Sequence, residues 1–566
     1  MPPGAFDNSC SWPRRLLHIQ TLRSYEWQPG NIYGGYRNPG YNALSYTWGR
    51  WQLCEDEMPE ISAIRVKGTS WSIPRIDPVH FTAEKFAAVI ADTADPHPSE
   101  SNASGVDFLW LDVACIDQSP ESREKAQEIG RQAKIFRGAT HVFVWLTTHD
   151  RFYYNTWASE MEPKFELMCG PKFHTDVDIR CWTMEVTMIV ANLLADPWFS
   201  SLWTLQETFL SPDAVIIPGD AMKSSIDLCR LGFISETLQT IKDALSYDDK
   251  IREADGECGL SAMIDRTGLL VCLDQDSMGL LTAAGNRTTR HEEDRVYGIM
   301  QVFEFQLGNS ASDIDENRAF SLEELNDQLG AALLEKTPIL SQMHIYQGKV
   351  EPSKGWRLNK SSIVPPVSKV FYHRKRAQPA VESRATLSCQ QSDASLWGRF
   401  SGPTISFRVF AQRLLHDWPN AWFYGGATVL LDREILDRCF VDHRATDLSR
   451  AAFLAHHTPE VTILLLGLQT EPKREGEKGR RSAVGLLLHR FSDLEMKSTT
   501  RLESWKRVGL FIWSIDSERP EEEATRSNEP FKLLAESLRN LKTTIKHLPY
   551  LKGEGPEWKD ASGLFG

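Results

Sequence analysis

The clearest pattern of apolar and polar positions lies between residues 108 and 146. Residues 108–113 form an almost unbroken apolar run, which suits a strand buried on both faces. A polar break follows at Asp117, Gln118, Ser119 and Pro120, where Ser119 fits a helix cap and Pro120 the first helical position. Ala126, Ile129, Ala133 and Phe136 then recur at helical spacing, with Glu124, Lys125, Glu128, Arg131 and Lys134 expected to face water. Gly138 supplies a stop, and residues 142–146 read as a second buried strand. Strand, helix and strand at this length predict a βαβ unit with parallel strands and a right-handed crossover. Asp112, Cys115, Asp117 and Gln118 fall at the C-terminal end of the first strand, where open α/β sheets place their ligands.

On either side the rhythm is less regular. Residues 1–40 are rich in Pro, Gly and Asn and read as a loop-like extension with one apolar element at 16–22. Residues 41–49 predict a short strand ending in an aromatic–glycine turn at Trp48 and Gly49. Residues 64–66 and 71–73 suggest a hairpin, and 82–90 a helix. Residues 147–175 carry little periodicity, whereas 184–194 predict a helix that must stop before Asp196 and Pro197. In the aromatic cluster that follows, Leu202, Leu205 and Phe209 share one helical face, and Trp203 and Glu207 lie one turn apart on another. Residues 214–217 read as a strand. Residues 221–346 have helical periods, notably at 226–245 and 321–334. From 347 to 566 the chain turns β-rich, with strands expected at 461–468, 483–488 and 507–513, a charged loop at 471–481 and a closing helix at 531–548.

Composition narrows the function classes. At 566 residues the chain is too long for one core. A net charge of −13 argues against nucleic acid or an anionic membrane as the main partner. The ten cysteines include no C-x-x-C pair and no close Cys/His cluster, so no metal site is expected and reduced thiols are the simpler reading. The first fifteen residues lack an apolar signal core, and the longest apolar runs fall short of a membrane span. A soluble, cytoplasmic protein is the expectation. No Gly-rich phosphate loop and no G-x-S-x-G elbow is present.

Three blocks appear in order: YNALSYTWG at 41–49, LWLDVACIDQ followed by a Glu/Gln-rich helix and VFVWL at 109–146, and WFSSLWTLQE at 198–207. Together they resemble the fungal heterokaryon-incompatibility (HET) domain, with a match expected over about 41–219. Arg287 and the segment Asp294, Arg295, Val296, Tyr297 and Gly298 resemble a piece that commonly follows in such proteins. The family pattern usually has Asn where Asp117 stands. The resemblance implies an α/β domain of flavodoxin/TIR-like fold at 41–220, followed by the helical and β-rich regions. It also implies self/non-self recognition and programmed cell death, acting through protein partners or self-association.

TIR-like enzymes cleave NAD at the nicotinamide–ribose bond with a glutamate one helical turn after a tryptophan, and Trp203 and Glu207 have that spacing. By that resemblance Glu207 is the candidate catalytic carboxylate, with NAD as substrate and no bound cofactor. Tyr46, Trp48, Gly49, Asp112, Cys115, Gln118, Trp203 and Gln206 are the candidate substrate-binding residues. The residues alone leave plainer readings open. Glu207 also fits an exposed or loop-capping acid, Asp112 a cap on the following turn, and the tryptophans a core. Cys115 has no histidine partner in sequence, so a small buried thiol is preferred to a nucleophile. Two functions remain: an effector that destroys NAD, and a signalling module that acts by contact without chemistry.

Overall fold

The computed structural model describes residues 11–94, 105–119, 122–169, 175–220, 230–247, 249–311, 318–365, 380–392, 395–417, 421, 426–439, 447–458, 460–470, 481–491, 503–515 and 549–566. The chain divides into two compact units, Met1–Leu325 and Asn326–Gly566. The closing helix expected at 531–548 and most of the charged loop lie outside the described residues. Among the described residues no helix is long and apolar enough to cross a membrane.

The first unit is built on one sheet. Its strands are β1 (Arg15–His18), β2 (Arg23–Gln28), β3 (Ile32–Tyr33), β4 (Tyr36–Arg37), β5 (Tyr41–Ser45), β6 (Phe108–Trp110), β7 (Val142–Trp145) and β8 (Val215–Ile217). They lie in the order β4-β3-β2-β1-β6-β5-β7-β8. β6, β5, β7 and β8 are parallel, so the strands predicted around 108 and 142 are parallel and one strand apart. Within this parallel part the chain runs in the order second, first, third, fourth. The direction of winding therefore reverses beside β5, at a topological switch point. Along β7 and the residue after it, Val144 and Leu146 belong to one apolar cluster and Phe143 and Trp145 to another. Alternate side chains entering two cores is what a strand covered on both faces requires.

The segment before Tyr41, read as a loop, instead supplies β1–β4. β1 pairs antiparallel with β6 and with β2. Its strands are short and interrupted by Gly and Asn turns, which hid the pattern. The hairpin expected near 64–73 does not form. Lys67 makes an isolated bridge to Arg23 instead, and Trp71 donates its indole N–H to the Val113 carbonyl at 3.0 Å.

Among the described residues seven α-helical segments precede β8: α1 (Ala83–Asp92), α2 (Asp112–Cys115), α3 (Arg123–Ile129), α4 (Gln132–Gly138), α5 (Arg151–Cys169), α6 (Asp176–Leu193) and α7 (Leu202–Leu210). The helix predicted after Pro120 is thus two. Its cap is Ser122, whose hydroxyl accepts the Lys125 amide, rather than Ser119. The break at Gly130 turns two residues expected in water inward. Glu128 and Arg131 are each 1% exposed and pair at 2.7 Å. Glu128 also accepts the Arg14 amide at 2.9 Å and Arg131 donates to the Trp12 carbonyl, so the pair ties the N-terminal strands to this layer. A second break falls after β6, where Asp112 and Val113, expected in the strand, begin the helical turn Asp112–Cys115. α5 occupies the stretch that showed little periodicity, and α6 begins two turns earlier than predicted. Helices from Leu231 to Gly285 complete one side of this unit.

In the second unit the strands Val461–Thr470, Arg481–Arg490 and Ser504–Ser514 are antiparallel neighbours, as the sequence predicts. Lys559–Phe565 and Ser395–Ser406 extend the sheet, and Ser395–Ser406 pairs back onto Val461–Thr470, which closes a ring of five strands. Closure removes sheet edges that would otherwise pair with other chains.

Candidate functional site

Two strand ends and one helix meet at the switch point. β5 ends at Ser45 and runs directly into Tyr46, Thr47 and Trp48, while β6 ends one residue before the turn that begins at Asp112. The Tyr46 hydroxyl donates to Asp112 Oδ1 at 2.7 Å, and the Trp48 indole N–H donates to Oδ2 at 2.6 Å. The Val113 amide donates to Oδ1 at 2.7 Å. Asp112 therefore holds two aromatic side chains and starts its own helical turn. Burial raises its pKa, and the bonds from Tyr46, Trp48 and Val113 oppose that rise.

Glu207 reaches the same place from α7. The Ser45 hydroxyl donates to Glu207 Oε2, and the buried Trp198 indole donates to Ser45 Oγ at 2.8 Å. This relay fixes the hydroxyl proton toward the carboxyl group. Burial pushes the Glu207 pKa up to about 8; the Ser45 bond works against the rise and the nearby Asp112 charge adds to it. At neutral pH the carboxyl is mostly protonated, as expected where two acids share a poorly solvated space.

The other residues singled out by sequence divide into two groups. Gln118 lies beside Asp112, but its amide donates to the Asp112 and Ile116 carbonyls at 3.2 and 2.9 Å, closing the loop after the turn. Gly49 opens the 3-10 turn Gly49–Trp51, with open space where a side chain would go. Trp203 is half-buried and bonds Asp294 in the downstream segment. Cys115 is buried at the end of its helical turn, with Sγ 3.8 Å from the Leu109 carbonyl, and burial pushes its thiol up to about 12. That is a packing thiol, not a nucleophile. Gln206 is fully buried; its amide donates to Gln132 Oε1 at 2.8 Å and its oxygen accepts the Gln301 amide at 3.2 Å. It ties α7 to α4 and lines no open surface.

Sequence reasoning missed Ser45 and Trp198, both of which read as ordinary strand and core residues. It also missed Arg50, whose guanidinium bonds the hydroxyls of Ser200 and Thr288 at the entry to α7. His80 stacks on Trp51 at 3.7 Å and bonds the Thr47 carbonyl at 2.6 Å, which pins the residues just after β5. Among the described residues no group of His, Cys, Asp and Glu could hold a metal ion.

The family model for heterokaryon incompatibility protein (HET) matches residues 41–207. The chain carries a HET domain. The match begins at the first residue of β5 and ends at Glu207, so it contains every side chain of the cluster. No curated protein and no solved structure matches the chain. The HET family carries a role in heterokaryon incompatibility and cell death.

Support for the HET domain extends past the matched span. Arg287 is 2% exposed and donates to the carbonyls of Trp198 and Ser201, each at 3.0 Å, and to that of Thr267. Burial pulls its pKa down to about 10. The neighbouring Thr288 accepts the Leu202 amide on its carbonyl at 3.0 Å. Residues 287–288 therefore anchor the start of the helix that carries Glu207.

Proposed function

We propose that this HET domain is a cytoplasmic effector of fungal heterokaryon incompatibility that kills by TIR-like cleavage of NAD, with Glu207 as the catalytic carboxylate. The observation that carries the reading is that Ser45 and Tyr46, neighbours at the end of β5, bond Glu207 and Asp112 respectively, with Trp48 also on Asp112, at the C-terminal ends of parallel strands. The strand order second, first, third, fourth agrees with a flavodoxin-like domain, whose ligands bind at this edge.

The reaction is hydrolysis: NAD and water give ADP-ribose, nicotinamide and a proton. The ribose C1′–N bond breaks, its electron pair leaves with nicotinamide, and positive charge develops on the ribose. A carboxylate beside that ring accepts the ribose hydroxyls and stabilises the developing cation. The nicotinamide ring of NAD is itself cationic, so its arrival favours the ionised form of a carboxyl whose pKa stands near 8 in the free protein. The half-buried Trp48 supplies an aromatic wall for the ring, and the buried Tyr46 supports it from behind through Asp112.

Clustered expression of the wild-type chain should deplete cellular NAD and arrest growth. Glu207→Gln keeps size and most hydrogen bonding but removes the charge, so the rate should fall on the order of a hundredfold or more. Equal toxicity at equal expression, with NAD level until cells are dying, would favour signalling by contact and end the enzymatic reading.

A further inference from the structure

α6 has two apolar faces, and only one is used. Ile179, Trp182, Val186, Val190 and Leu193 are buried in the core. On the opposite side Val177 is 70% exposed, Met184 53% and Met188 66%, and Cys181 is exposed. With the half-buried Ala191 these residues repeat at intervals of four, three, four and three. That is the spacing of a helix-to-helix seam, not of a helix packed on a sheet. The stripe runs for about 21 Å along the helix. Phe152, 77% exposed, stands on α5, whose approach is tied to the far end of α6 by the bond from His149 Nε2 to the Asn192 carbonyl at 2.9 Å.

We propose that this stripe is a self-association surface, on which α6 of a second copy of this chain packs parallel to the first. Charge decides the occupant and its direction. In a parallel pair, Arg180 of each copy faces Glu185 of the other across the seam. In an antiparallel pair the acids Asp178 and Glu185 of the two copies face each other, which is unfavourable. Arg180 and Glu185 now pair within the chain with Glu257 and Lys164, but three of these four side chains are half-exposed or more. Exposed pairs of this kind contribute little and exchange readily. The seam spans about two heptads, so the interface falls below the ~1,600 Å² of a standard complex and association is transient. A transient contact of this kind forms when copies are held close together. The inference does not depend on the chemistry proposed for Glu207, and its test reads association alone.

A parallel two-fold seam sets the two copies of Cys181 opposite each other. Mild oxidation of the full chain should therefore give a disulfide-linked dimer through Cys181. Cys181→Ser should abolish that dimer, and Met188→Glu should reduce it at least tenfold. In sedimentation the association should likewise weaken at least tenfold in Met184→Glu and Met188→Glu. Both methionines are exposed, so circular dichroism should be unchanged. Failure of Cys181 to cross-link to itself, with a folded protein, would overturn the parallel seam. Association indifferent to both glutamate substitutions would overturn the surface.

Discussion

Glu207→Gln should make the protein more stable, and by an amount that depends on pH. The Glu207 pKa is about 8 in the folded protein against an ordinary value of 4.5. A carboxyl raised in this way favours the folded state while protonated. That advantage is fully present below 4.5 and is lost as pH rises through 8. At pH 7 the wild type has forfeited the interval from 4.5 to 7, at about 1.4 kcal/mol per pH unit, an upper bound of about 3 kcal/mol. Glu207 is only partly shielded from solvent, so screening reduces this to about 1–2 kcal/mol. Glutamine is neutral at every pH and still accepts the Ser45 hydroxyl. For a unit of this size the gain corresponds to a rise in melting temperature of about 2–3 °C. Scanning calorimetry of both proteins from pH 4 to pH 8.5 should show the two curves converging near pH 4.5 and separating as pH rises. A difference of opposite sign, or one that does not change with pH, would refute the account of Glu207 as a charge held in a hostile place.

Three further outcomes follow from the same geometry. If ionised Glu207 is the active form, kcat/KM for NAD should rise as pH increases through about 8 and then level off; a profile flat between pH 6 and 9 would count against it. Cys115→Ala should leave NAD cleavage unchanged within about twofold while costing about 1 kcal/mol of stability in urea melts, because the thiol packs and does not react. Arg287→Ala should cost roughly 3 kcal/mol or more, since it leaves the Trp198, Ser201 and Thr267 carbonyls unpaired in the interior; hydrogen exchange should show α7 losing protection first.

What the sequence made legible was whatever had a period. The parallel strands around 108 and 142, the Thr82-capped α1 and the three long strands of the second unit all carry apolar runs that no neighbour disguises. What it hid was whatever depends on a partner far along the chain. Glu128 and Arg131 read as a wet helical face because nothing in sequence reveals that Trp12 and Arg14 arrive to bond them. Ser45 looked like any small strand residue, and only its meeting with Glu207, 162 positions away, makes it part of the cluster. Gln206 adjoins Glu207 in sequence, yet helical geometry turns it about 100° away, into the packing between α7 and α4.

The cluster also separates the two carboxyl groups by role. Both Asp112 oxygens accept bonds from fixed donors, Tyr46 and Val113 on one and Trp48 on the other. So occupied, Asp112 has little capacity for a ligand; it positions the aromatic side chains and adds negative potential. Glu207 takes its bond from Ser45 alone, and among the described residues neither acid forms an ion pair. Two acids held by neutral donors, with no cation paired to either, keep Glu207 mostly protonated at neutral pH until positive charge arrives. Such a place is stabilised by a ligand that brings positive charge or develops it, and is disfavoured for a phosphate. Arg50, bonded to Ser200 and Thr288 at the start of α7, offers a cation on the same helix entry. On the proposed reading, the acids beneath the strand ends would meet the cationic nicotinamide ring of NAD and the guanidinium at the helix entry its diphosphate. Asp112→Asn tests that assignment of roles. It should keep the Tyr46 and Val113 bonds on the remaining oxygen, lose the Trp48 bond and lower the Glu207 pKa, moving the kcat/KM profile to lower pH without the hundredfold loss expected of Glu207→Gln. A loss as deep as that of Glu207→Gln would make Asp112 a catalytic partner instead of a positioning residue.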